Sequence, residues 1–198
     1  MNGRLFGFAG GEAGPWRVAQ MKVVAGDPLA HVARVNVVQG AQSAAEAAWF
    51  LQGVTSNERY VNRSEKERLS AQQPELGRAE ATFAALIPIQ KTAVWWGLAQ
   101  DERRSIIEER SNHVKTGLKY LPAVARRLYH CRDLGSEEPF DFLTWFEYAP
   151  SDNAAFDELV AALRETEEWT YVDREIDIRL IRDQAGAAAP ADLDFMRR

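Results

Sequence analysis

The sequence predicts an α+β fold: a ferredoxin-like barrel built from two subdomains, the N-terminal one shortened. Three observations carry this. From residue 81 the elements run strand, helices, strand, strand, helix, strand, the order of a ferredoxin-like unit. Residues 140–149 and 169–181 alternate with period two, so each has two chemically distinct faces. The first 80 residues hold several strand patterns but too little helix for a complete second copy. They read as a reduced version of the same unit (1–80) packed beside a full one (81–182), with 183–198 as a C-terminal tail. An antiparallel sheet with helices on one face follows, and two such sheets make a barrel.

Bulk composition narrows the function classes. The 198 residues are 46% hydrophobic and 27% charged, as in an ordinary globular protein. A formal net charge of −5 offers no basic surface for nucleic acid. No apolar run is long enough for a membrane span, and MNGRLFGFAGGEAGPWR lacks the charged and apolar regions of a signal peptide. The single cysteine, Cys131, has no partner for an internal disulfide, which fits a reducing cytoplasm. One Cys and three scattered His do not make a structural zinc site. Cys131, His31 and His130 read as structural or exposed.

In order along the chain, residues 4–9 and 16–24 are short strands separated by the turn residues GGEAGP. The alanines of 42–47 favour a short helix, and 48–55 a strand. Residues 56–80 are polar and charged, a solvated loop or loose helix. ATFAALIPIQ (81–90) is a buried strand that Pro88 should end or place at an edge. Trp95 and Trp96 are adjacent, so they point in different directions and cannot share one pocket.

A helix is expected over 100–121, with Ile106, Ile107, Val114, Leu118 and Leu121 as its apolar stripe, Asp101 and Glu102 in its first turn, and Pro122 at its end. His113 lies at the border of that stripe, either as a structural hydrogen-bonder or as a ligand. Gly117 follows one turn later at a cost of about 1 kcal/mol relative to Ala. Something broad should approach there, a crossing helix or a flat macrocycle. On the strand 123–132, Arg126, Leu128 and His130 share a face. On the next strand Phe140, Phe142, Thr144, Phe146 and Tyr148 form a dry aromatic face with one hydroxyl. An arginine against that face needs a counter-charge: Asp141, Glu147, or an anionic ligand. Ser151 or Asp152 caps a helix over 153–167, whose buried stripe is Phe156, Leu159, Val160 and Leu163. The final strand buries Val172, Ile176, Ile178 and Leu180.

Six runs taken together, IPIQKT (87–92), VWWGL (94–98), EERSNHVKTGLKYLP (108–122), ARRLYHCRDLG (125–135), FDFLTWFEYAP (140–150) and LRETEEWTYVDREIDIRL (163–180), resemble the chlorite dismutase family of haem enzymes. The shortened N-terminal half is similar to the small, dimeric branch. The resemblance implies a dimeric α+β barrel, haem b, and conversion of chlorite to chloride and dioxygen by a homodimer that takes chlorite and other small anions, which the composition places in the cytoplasm. Residue by residue, it implies His113 as the proximal iron ligand and Arg126 as the distal, catalytic arginine. Leu128, Thr144 and Phe146 would line the distal pocket. Lys91 and Tyr60 would contact the propionates, Trp95 and Trp96 would be pocket tryptophans, and Glu167 the carboxylate on His113, with Glu165 or Glu168 as alternatives. Related coproheme decarboxylases place a reactive tyrosine before the strand proline, and their Gram-positive branch has a distal glutamine. Here those positions are Ile87 and Arg126, which favours chlorite chemistry. A coproheme decarboxylase or haem peroxidase, and a non-catalytic haem-binding protein on the same fold, are the alternatives.

Overall fold

The computed structural model describes residues 2–40, 46–55, 60–135 and 138–183. Strands β1 (Leu5–Gly11), β2 (Trp16–Ala25), β3 (Arg34–Gln39), β4 (Trp49–Val54), β5 (Phe83–Lys91), β6 (Ala125–His130), β7 (Phe142–Tyr148) and β8 (Val172–Arg182) close into a barrel in the order β1-β3-β2-β8-β5-β7-β6-β4. All neighbours pair antiparallel. Each half repeats one order: β4-β1-β3-β2, then β8-β5-β7-β6. The halves join along β2 and β8, from Trp16↔Arg182 to Ala25↔Glu175, and at Val54↔His130.

Period-two alternation sorts the side chains. Phe8, Val35, Leu51, Leu86, Leu143, Trp145, Ile176 and Ile178 fill the barrel. The opposite face of β5 and β7 presents Ala85, Ile87, Ile89, Phe146 and Tyr148 to helix α5 (Asn153–Arg164). Phe156, Leu159, Val160 and Leu163 of α5 are buried there, at about 1.5–3 kcal/mol of burial each. The glycines of the N-terminal strands admit close packing: a Cβ on Gly10 would lie 2.1 Å from the Trp49 ring.

Several expectations need correcting. Strand β3 was not among the expected elements. The helix placed at 42–47 falls mostly on residues outside those described, and 46–47 are not helical. The polar stretch 56–80, expected as a solvated loop or loose helix, does hold a helix, α1, over Arg63–Gln72. It is started by a capping box in which Asn62 accepts from Glu65 N and Glu65 accepts from Asn62 N. Pro88 neither ends β5 nor sits at an edge. It pairs with Leu143 of β7, and the β5–β8 ladder runs from Leu86↔Ile178 to Ile89↔Glu175 without pairing there, so its missing N–H costs no bond. Phe140 precedes β7 and turns into the barrel instead of joining the Phe142 face. Asp152 stands at the start of α5 but makes no side-chain cap, a 3-10 turn over Pro150–Asp152 leading in instead. Residues Glu167–Tyr171, expected as the end of the helix and the start of the final strand, form a separate 3-10 turn.

The helix expected over 100–121 is interrupted. It divides into α3 (Gln100–Arg104), a π-helical segment (Ser105–Arg110), a break at Ser111–Asn112, and α4 (His113–Leu118). Asn112 has φ 51°, left-handed backbone that asparagine tolerates better than most residues. Serine and asparagine both offer the backbone side-chain alternatives to helical bonding. His113 therefore opens a new helix. Among the described residues no helix is long and apolar enough to cross a membrane.

Candidate functional site

A cavity of about 530 Å³ lies on the outer face of the C-terminal half. The sheet contributes Ile87, Ile89 and Lys91 of β5, Arg126 and Leu128 of β6, and Phe142, Thr144 and Phe146 of β7. The helical side contributes His113, Val114 and Gly117 of α4, and Leu159, Val160 and Leu163 of α5. Helix α1 and the residues after it, including Leu69, Gln73 and Leu76, complete the wall. The lining is mostly apolar with a few convergent polar groups, the usual character of a small-molecule site.

Local structure explains how His113 arrives there. The break at Ser111–Asn112 frees the first-turn N–H groups of α4. Asn112 makes no side-chain cap. Glu108, from the π-helical segment, reaches across instead: its carboxylate accepts from Val114 N (2.7 Å) and Lys115 N (3.4 Å). A carboxylate at a helix N-terminus is also favoured by the dipole. His113 Nδ1 then meets Glu168 Oε2 at 2.6 Å.

Glu168 is the charged centre of this side. It is buried, and its other oxygen pairs with Lys91 Nζ at 3.0 Å, itself buried and lying 4.8 Å from the centroid of the Trp95 ring. Burial pushes the carboxyl up, but His113 and the Lys91 ammonium outweigh it and hold it down to about 2. Ionised Glu168 can only accept, so Nδ1 of His113 is the donor and Nε2 is left to a ligand.

Two expected positions are therefore reassigned. The carboxylate on His113 is Glu168, not Glu167, which pairs with Arg110 at 2.6 Å nearer the surface. Lys91 lines the cavity, yet its ammonium is engaged by Glu168 and by the Glu168 carbonyl (3.2 Å).

The tryptophans divide as adjacency requires. Trp95 is buried against the cavity and stacks edge-on with Tyr60, and its indole N–H is buried with no acceptor. Trp96 is not part of the cavity wall. Its indole donates to Asp141 (3.1 Å), and its ring stacks on Phe142 and lies near the guanidinium groups of Arg132 (4.2 Å) and Arg103 (5.1 Å). Tyr60 lines the cavity; its hydroxyl accepts from Arg103, and its carbonyl from Arg104.

On the sheet side, Arg126 sits opposite Phe146, and Leu128 opposite Thr144. The two carboxylates considered as counter-charges are committed elsewhere. Glu147 belongs to the barrel-facing side of β7 with Leu143 and Trp145, and accepts from Trp145 Nε1 (2.8 Å) and Gly77 N (2.5 Å). Asp141 accepts from Lys91 N (2.6 Å), Trp96 Nε1 and Arg132 (3.4 Å). Gln73, which the sequence reading did not single out, donates from its amide to the Arg126 carbonyl. A Cβ added to Gly117 would meet nothing within 4 Å, so that glycine faces open space and not a crossing helix.

Fold and site thus define an α+β-barrel protein in which a cavity of about 530 Å³ presents a carboxylate-backed imidazole from its helical side and Arg126 from its sheet. The family model for chlorite dismutase matches residues 30–182, and the chain belongs to the chlorite dismutase family. It is similar to the crystal structure of dimeric chlorite dismutase from Nitrobacter winogradskyi, with a TM-score of 0.83 and 53% identity, covering 90% of this chain and 99% of that one. A chlorite dismutase from Ideonella dechloratans is 36% identical over 89 residues, 45% of this chain and 28% of that protein's length. The structure of chlorite dismutase from Candidatus Nitrospira defluvii in complex with imidazole shares the fold, with a TM-score of 0.59 and 19% identity over 90% of this chain and 91% of that one.

Proposed function

We propose that this chain is a haem b-dependent chlorite dismutase that converts chlorite to chloride and dioxygen. The observation that carries the reading is the His113–Glu168–Lys91 arrangement, which leaves one imidazole nitrogen for iron in a cavity that also holds Arg126. The residues fit the group. A 530 Å³ apolar cavity suits a large flat ligand, and Gly117 leaves room beside His113. The buried indole N–H of Trp95 lacks an acceptor that a haem carboxylate can supply, and the Tyr60 ring packs edge-on to the same indole. Lys91 is better read as holding Glu168 than as a propionate contact.

Bound haem b supplies the redox chemistry of oxygen transfer from the oxyanion. The protein's own part is binding and orientation. Glu168 keeps the Nδ1 proton on His113 and raises the basicity of Nε2. Arg126 would attract the chlorite anion and hold it in the cavity by a charge-assisted hydrogen bond. Such a bond is strengthened beside an apolar lining such as buried Phe146. Thr144 adds one hydroxyl.

Relatives that decarboxylate coproheme provide the main contrasting reading. Ile87 is 4% exposed, lines the cavity and pairs with Thr144, so the position before Pro88 faces the site with a side chain that cannot be oxidised to a tyrosyl radical. The proposal extends to a homodimer, on the similarity to the dimeric Nitrobacter protein, and to a cytoplasmic location, on the single cysteine.

The test is a haem titration followed by an oxygen-electrode assay with chlorite. The expected result is a 1:1 Soret band that His113→Ala abolishes, and rapid oxygen release. A bound haem without oxygen release overturns the activity. Protohaem formed from coproheme and peroxide, with no oxygen from chlorite, favours the decarboxylase.

A further inference from the structure

Helix α4 has only six residues and cannot fix its own orientation, yet it starts with His113. Its partner Glu168 sits in a 3-10 turn of five residues, also too short to be rigid alone. What holds the two segments in register is therefore a question of side chains. Three side-chain links join Glu167 and Glu168 of the turn to residues 110–113, the run that leads into α4. Arg110–Glu167 is half-exposed and contributes little. The His113–Glu168 contact is the pairing to be explained. The third is Ser111: its side chain is buried, and its hydroxyl oxygen accepts from the backbone N–H of Glu168 at 3.0 Å. That N–H is a first-turn donor with no partner inside its own turn.

We infer that Ser111 is a positioning residue that sets the His113–Glu168 pair, and through it the tautomer of His113. The hydroxyl lies two residues before the imidazole in sequence and grips the backbone of the carboxylate that the imidazole faces. Losing it leaves a buried N–H without an acceptor, so the 3-10 turn rotates toward another one and the 2.6 Å contact lengthens. Glu108, which holds the start of α4 from the other side, cannot compensate, because it touches only Val114 and Lys115 backbone. For its consequence on haem, the inference rests on His113 being the iron ligand; for the tautomer it does not.

The test compares Ser111→Ala and Ser111→Thr with the parent in two measurements. In the apo-protein, imidazole ¹⁵N shifts report the His113 tautomer at neutral pH. The parent and S111T should show the Nδ1–H form, and S111A a mixture of both. In the second measurement the haem Kd of S111A should rise about tenfold, the lower end for partners of metal-ligating histidines, with S111T near the parent. A purely structural serine would lower the melting temperature of S111A while leaving tautomer and Kd unchanged, and that result overturns the inference. If S111A does not fold, Ser111→Cys, with a weaker acceptor of similar size, replaces it under the same criteria. If the parent binds no haem, the haem reading fails and the tautomer alone decides the role of Ser111.

Discussion

Replacing Glu168 by Gln removes a charge that two buried groups depend on. Lys91 Nζ lies 3.0 Å from one oxygen and His113 Nδ1 2.6 Å from the other. In Glu168→Gln the Lys91 ammonium, 6% exposed, keeps its position but loses its counter-charge. Breaking a buried pair on one side costs about 3–5 kcal/mol. Linkage gives an independent figure: a carboxyl held at about 2 instead of 4.5 is worth roughly 3 kcal/mol, at about 1.4 kcal/mol per pH unit. The folded-state value is depressed, so this stability is fully present above pH 4.5 and is lost as the pH falls toward 2. Urea unfolding of the apo-protein at neutral pH should show E168Q less stable by about 3 kcal/mol, with the gap narrowing below pH 4.5. The double variant with Lys91→Met should recover part of the loss, because a buried pair replaced whole is often close to neutral. The reasoning is refuted if E168Q unfolds within about 0.5 kcal/mol of the parent, the range of an ordinary surface change, or if K91M/E168Q is no more stable than E168Q. In haem-loaded protein the same variant should weaken haem binding about 10–100-fold.

Arg126→Ala should keep haem but lower turnover with chlorite by about tenfold or more and shorten the enzyme's lifetime, since a charged hydrogen bond is worth about 1.5–3 kcal/mol. Trapping of released hypochlorite should increase, and unchanged turnover and lifetime would rule out the role. At the break before His113, Asn112→Ala should destabilise by about 1 kcal/mol, the cost of left-handed backbone for a residue with Cβ, whereas Asn112→Gly should stay within about 0.5 kcal/mol; thermal unfolding measures both. Trp96→Phe should leave the haem Kd unchanged because Trp96 is outside the cavity wall, while Trp95→Phe should raise it, and equal effects would contradict that division.

The elements legible in the sequence were those with one strong period. Strands β6, β7 and β8 and helix α5 each carry one strong period, so alternation or a three-to-four stripe sorts their side chains by face, even where both faces are buried, as in β7 with Leu143 and Trp145 in the barrel and Phe146 and Tyr148 against α5. Strand β3 was missed although Arg34, Val35, Asn36 and Val37 alternate with period two, a signal the sequence does carry. The helical break escaped because a continuous apolar stripe spans it. The local signal was Ser111–Asn112, two residues whose side chains compete with helical bonding. Pro88 misled because the bond it cannot make falls at a gap in one ladder, a register known only when both neighbours are in place.

For the site, sequence reading put His113 and Arg126 on separate elements, and the fold brings both to one cavity. Which of Glu165, Glu167 and Glu168 meets His113 was beyond sequence. Adjacent residues of a 3-10 turn point about 120° apart, so the choice depends on the turn's rotation, which packing against Ser111 sets. Lys91 is a similar case: a buried lysine takes the nearest carboxylate, and Glu168, 77 residues away, becomes that neighbour only in the folded chain. The sequence by itself determined the barrel's strand faces, the α5 stripe and the opposite directions of Trp95 and Trp96. Tertiary structure alone decided which carboxylate holds His113, where the helix breaks, and that Glu147 and Asp141 are spent elsewhere. Those outcomes depend on the directions of side chains distant in sequence, and only closure of the barrel brings such side chains within hydrogen-bonding reach.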